Sequence, residues 1–168
     1  MLLIVQFHLF LFSFITIQKK AMASRDYLIR QVEEMGIFLA MLLRRILKMK
    51  EESQQDLISL VVREELLKET NLELDQLVVM SDSDFFEVVH SKFTSDDQLE
   101  KLADILRVLG LEIEHSFSVT RANYVLKSLF LFKYLQAKSA NYSYDRRTKI
   151  LELEELALRS GLIGNVDY

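Results

Sequence analysis

The sequence predicts an all-α protein, and three observations carry that prediction. There is no proline and there are only four glycines in 168 residues, where average usage gives about eight and about a dozen. A β-sandwich would need both residues at its turns. Leu28, Val32, Met35, Leu39, Leu42, Ile46 and Met49 follow one another at spacings of 4, 3, 4, 3, 4 and 3, an a/d seam sustained over three heptads. Finally, helix-start residues punctuate the rest of the chain: Ser53, Ser81-Asp82-Ser83-Asp84, Ser95 with Gln98, and Ser118. Each offers a side-chain oxygen to the free N–H groups of a first helical turn. The length suits one domain. The expected architecture is a single domain over residues 22–168, with a long N-terminal helix followed by antiparallel helix pairs.

Residues 1–21 stand apart. Met1 to Ile17 is apolar except for Gln6, His8, Ser13 and Thr16, and Lys19 and Lys20 follow. One reading is a membrane anchor, a little short of the ~20 residues a span needs, with the lysines holding the domain on the cytoplasmic side. Another is a signal peptide, which lacks a basic n-region and has only Ala21 and Ala23 as a cleavage cue. The third is a misplaced start. Leu, Phe, Ile and Lys are what AT-rich non-coding DNA yields, and Met22 opens a sensible Met-Ala-Ser-Arg-Asp-Tyr. We adopt the third reading, with a cytoplasmic location. Removing this segment takes away two of the 21 basic residues and none of the 25 acidic ones, moving the net charge from −4 to −6. That balance argues against bulk nucleic-acid binding, which needs a basic face.

The seam predicts a helix over about 24–50, with Ser24 as N-cap and with Arg44, Arg45, Lys48 and Lys50 at its C-terminal end, where cations suit the helix dipole. Tyr27, Ile37, Phe38 and Leu43 widen its apolar surface beyond a pure seam. Ser53 is expected to open a second helix to about Thr70, with Leu57, Leu60, Val61 and Leu67 inside and Glu64, Glu65 and Lys68 outside. Leu72 to Met80 reads as a short helical turn. A short helix through Phe85, Phe86, Val88 and Val89 follows the Ser81–Asp84 cap. The capping box of Ser95 and Gln98 opens a helix bearing Leu99, Leu102, Ala103, Leu106 and Leu109, which Gly110 ends or weakens. Ser118 opens a helix carrying Ala122, Val125, Leu126, Leu129, Phe132 and Leu135. After a turn at Tyr142–Tyr144, a last helix over about 145–160 shows Ile150, Leu153, Leu156 and Ala157 and stops at Gly161.

Composition removes several chemistries. Without cysteine there is no disulfide framework, zinc ribbon or thiol nucleophile. Four scattered glycines form no phosphate loop, dinucleotide fingerprint or nucleophile elbow. Asp82, Asp84, Asp96 and Asp97 lack the alternating ligands, glycine and closing glutamate of a calcium loop and read as helix caps.

Asp26-Tyr27-Leu28-Ile29-Arg30-Gln31-Val32-Glu33 resembles the opening of a bacterial family of short helical proteins known only as a domain of unknown function. Leu99 to Leu106, and Tyr134-Leu135 with Tyr142 to Arg146, also resemble it. The resemblance spans about Met22 to Leu158 and implies a helical fold without implying a substrate. The segment 118–161 further resembles one degenerate tetratricopeptide helix pair, through Tyr124, Ser128, Leu129 and Phe132. Its small position is Ser128, and it has no terminal proline.

Candidate sites are few. Glu87 with His90 and Glu112 with His115 both spell Glu-x-x-His, the pair that builds dinuclear metal sites in four-helix bundles. The pairs lie too close in the chain for that topology, so a metal-dependent enzyme is the alternative reading only and no cofactor is expected. Arg44, Arg45, Lys48 and Lys50 form one basic patch, read as a solvated helix end. Arg146, Arg147 and Lys149 form a second, expected to pair with acids on a neighbouring helix or chain. Arg30 and Glu33 beside Tyr27 suggest an ion pair. Phe117, Tyr124, Phe130, Phe132 and Tyr134 cover too many faces of one helix for a single stripe, so that helix is central or docks a partner. The leading expectation is a protein–protein interaction or scaffold module without catalytic activity. Its partner would be a protein or a second copy, engaged through Leu28, Val32, Met35, Leu39, Leu42, Ile46 and Met49.

Overall fold

In the computed structural model, residues 2–112 and 119–163 are described, with side chains over 25–111 and 119–163. Among these residues there are seven helices and no strand, as an all-α chain requires. They are α1 (Leu2–Glu51), α2 (Gln55–Thr70), α3 (Leu74–Val79), α4 (Asp82–Lys92), α5 (Asp96–Glu112), α6 (Val119–Lys138) and α7 (Tyr144–Arg159). The chain divides into two units, 1–35 and 36–168.

The first unit is wholly α1. The helix does not begin at Ser24 but runs through it from Leu2. Gln18 to Ala23 are good helix formers with no glycine or proline among them, so nothing stops the helix there. The division between units falls after Met35. Every described side chain from Arg25 to Glu34 is exposed. In that stretch the Gln31 amide donates to the Tyr27 hydroxyl at 3.0 Å.

In the second unit α1 ends at a Schellman cap. Ser53 sits in the left-handed region with φ 59°; its N–H donates to the Lys50 carbonyl at 3.2 Å and the Gln54 N–H to the Met49 carbonyl at 2.9 Å. Ser53 therefore closes α1 and does not open α2, whose N-cap is Gln54. Asn71 ends α2 in the same left-handed conformation, φ 57°. Ser81 caps α4 by accepting from the Asp84 N–H at 3.1 Å. Ser95 and Gln98 form the reciprocal capping box, both bonds 3.2 Å. The helix start expected at Ser118 lies outside the described residues.

The core centres on α6, which packs on α3, α5 and α7. Gly110 does not terminate α5, which continues to Glu112. Its role is close approach: a β-carbon there would lie 2.8 Å from Val125 Cγ2 and 3.1 Å from the Val125 nitrogen on α6. Ser128 reinforces the crossing by donating from α6 to the Ala103 carbonyl at 2.8 Å. Arg121 donates to the Gly110 carbonyl at 2.7 Å, capping the end of α5. On the other side, Ser143 caps α7 by accepting from the Arg146 N–H at 3.2 Å. Gly161, φ 68°, closes that helix.

Ion pairs join α5 to α7 in register. Glu100 meets Arg146, Asp104 meets Lys149 and Arg107 meets Glu152, at 2.8, 2.9 and 2.8 Å. Numbers rise together on both helices, so α5 and α7 run parallel and α6 runs antiparallel to them.

Candidate functional site

The seven seam residues do not share one environment. Leu39, Leu42, Ile46 and Met49 are buried in the second unit's core. Met35 is half-buried, and Leu28 and Val32 are 57% and 38% exposed. Four of the seven residues expected to meet a partner therefore build the chain's own core, and the exposed end of the seam is Leu28 to Val32 with Tyr27 and Ile29 beside it. The turn expected to hold an Arg30–Glu33 pair instead shows the Gln31–Tyr27 bond.

Helix α2 reverses the expected faces. Ile58, Val62 and Leu66 are buried, whereas Leu57, Leu60 and Leu67 stand exposed. The helix carries two apolar stripes, and periodicity alone does not say which turns inward. Helix α1 repeats this pattern: behind the buried seam it exposes Ile37, Met41 and Leu47. An open groove of about 540 Å³ runs beside that face, with Ala40, Leu43 and Leu47 as its apolar floor and Arg44, Lys48 and Lys101 among its walls.

The two basic patches differ. Arg44 is exposed and pairs with no acid among the described residues, while Arg45 reaches Glu65 of α2 at 2.8 Å and Lys48 reaches Glu52 at 3.5 Å. In the second patch Arg147 is exposed, and Arg146 and Lys149 turn inward. Arg146 is buried and donates through two nitrogens to both oxygens of Glu100, at 3.3 and 2.8 Å, and through Nη1 to the Leu135 carbonyl at 3.4 Å. Lys149 lies between Asp104 and Asp145, at 2.9 and 2.8 Å, with its ammonium 5.5 Å from the Phe132 ring centre. Burial alone would depress the Lys149 pKa, but the hydrogen bonds and charges of Asp145 and Asp104 outweigh it and raise the value. The pairing expected of this patch is present within the chain.

Lys127 carries no signal in the sequence, yet its side chain is 8% exposed and its ammonium lies 2.6 Å from Asp82 and 5.2 Å from the Phe85 ring centre. It borders a second groove, of about 300 Å³, between the α3–α4 junction and α6.

The Glu-x-x-His pairs do not converge among the described residues. Glu87 is exposed, and His90 is half-buried and stacks on Phe86 at 5.3 Å with ring planes 9° apart. Its Nδ1 is buried without a hydrogen-bond partner. The side chains of Glu112 and His115 lie outside the described residues, as does Phe117. No group of three potential metal ligands occurs among those described. Tyr124 and Phe132 are buried, and Phe130 and Tyr134 pack against Phe86 with centroids 6.2 and 4.6 Å away. The aromatic richness of α6 thus reflects its central place.

Among the described residues no helix is long and apolar enough to cross a membrane; the side chains of segment 1–17 are not among them. No protein-family model, curated protein or solved structure matches the chain.

Proposed function

We propose that this chain is an interaction or scaffold module of the cytoplasm, without catalytic activity, that docks a protein partner through helix α1. One observation carries this reading: from Arg25 to Glu34 all faces of the helix are exposed, including the large apolar side chains Tyr27, Leu28, Ile29 and Val32. Grouped exposed apolar side chains mark surfaces that meet another molecule. The metal-dependent alternative through Glu87, His90, Glu112 and His115 gains no support from the position of Glu87 or the stacking of His90.

The test is a photo-reactive residue placed at Leu28 of the full chain in its native cells. A discrete protein adduct, to another protein or to the chain itself, is expected. Absence of an adduct, or the same adducts from a control at the exposed Arg147, would overturn the reading.

A further inference from the structure

Helices α1 and α2 form a hairpin in the second unit, closed by the Ser53 cap and bridged by Arg45 and Glu65 at 2.8 Å. Each helix buries one apolar stripe and exposes another. On α1, Ile37 and Met41 are 59% and 67% exposed and align at helical spacing with Arg44 and Lys48. On α2, Leu57, Leu60 and Leu67 are 52%, 49% and 44% exposed and align with Glu64. Outward on the hairpin, Arg44 stands among the apolar side chains of α1 and Glu64 among those of α2, while Lys48 is already paired with Glu52 and Lys68 with Glu69. Arg44 and Glu64 make no ion pair with each other or with another side chain among the described residues.

A two-fold interface requires a self-complementary patch, and this face has that property. Turning a second copy by half a turn lays the Arg44 stripe of each hairpin on the Glu64 stripe of the other, as in an antiparallel four-helix bundle. We propose that the α1–α2 hairpin docks on the same hairpin of a second copy, α1 against α2, with Arg44 of one copy facing Glu64 of the other. This rests on the interaction-module reading and names its partner. A foreign acidic helix would match α1 but leave the α2 stripe in water. An anionic lipid surface or an RNA would be repelled by Glu64 and Asp56.

Light scattering coupled to size exclusion on the full chain tests the proposal. The expected mass is twice 19.7 kDa. Arg44→Glu and Glu64→Arg should each weaken the dimer by more than about tenfold, since each sets like charges face to face. Helicity should not change, because both side chains are exposed. An equimolar mixture of the two variants should dimerise again, because both cross-copy pairs then carry opposite charges. A wild-type monomer, a dimer indifferent to both substitutions, or a mixture that stays monomeric would each overturn the proposal. If either variant folds poorly, mixed Met41→Cys and Leu67→Cys chains, whose positions face each other in the same antiparallel register, report the contact by disulfide cross-linking, in a chain otherwise free of cysteine. Here the cross-linked heterodimer supports the proposal and its absence overturns it. A Leu28 adduct to a different protein, with no self-association, would leave the interaction module standing and remove only this dimer.

Discussion

Leu28 and Val32 keep the same heptad spacing as Leu39, Leu42, Ile46 and Met49, yet the first two stand exposed while the other four are buried. Residue chemistry does not separate the two ends of the seam, since both are aliphatic at a and d positions. The difference is what lies opposite. From Gly36 onward the helix belongs to a unit with a core to join, and before it the helix belongs to a unit made of α1 alone. An apolar heptad thus announces that a surface will be covered without saying whether the cover belongs to the same chain.

Substitution should break this comparison most sharply at its buried end. Leu39 is 0% exposed, and Leu39→Ala is expected to lower unfolding free energy by about 2–5 kcal/mol through lost burial and a residual cavity, read by urea denaturation. Charge follows the same contrast. Arg146→Met strands Glu100 at a partly buried position and should cost about 1–3 kcal/mol, whereas Arg45→Met at the exposed pair with Glu65 should cost less than about 1 kcal/mol. Lys149 adds a pH signature. Its folded pKa is raised above the usual 10.5, so its contribution is fully present below about pH 10.5 and fades as pH rises through the higher folded value. The stability gap between wild type and Lys149→Met should hold from pH 7 to 10 and narrow above it, as seen by denaturant midpoints at each pH. At the exposed end of the seam, Leu28→Ser should change unfolding by no more than about 0.5 kcal/mol in dilute protein.

The fold was largely legible in the residues. The absence of proline, the seam and the caps at Ser81 and Ser95 located helices after Met22, because each cap is a local hydrogen bond that the sequence spells out; the cap at Ser143 was passed over inside the Tyr142–Tyr144 turn. Three features were not legible, each for a physical reason. Ser53 looked like an N-cap, and only its left-handed backbone shows that it ends α1. Leu57, Leu60 and Leu67 looked like the inner face of α2, but Ile58, Val62 and Leu66 form an equally regular stripe and tertiary packing chose between them. The Lys127–Asp82 pair joins residues far apart in the chain, and no spacing announces such a meeting. The candidate surface was read in part: its exposed end at Leu28 and Val32 was named, but the outward stripe of Ile37, Met41, Arg44 and Lys48 was visible at the same spacing and was not separated from the buried seam.

Gly110 leaves this chain with a historical constraint. Because the Val125 side chain and backbone occupy the space a β-carbon would need, the two positions can drift only as a couple. A lineage that replaces the glycine must first shrink the valine or spread the crossing, and Ser128 with its bond to Ala103 resists the spreading. Gly110→Ala alone should lower the melting temperature, and Val125→Ala should restore part of the loss. Taken with the valine first, the two changes never pass through the more crowded of the two single variants.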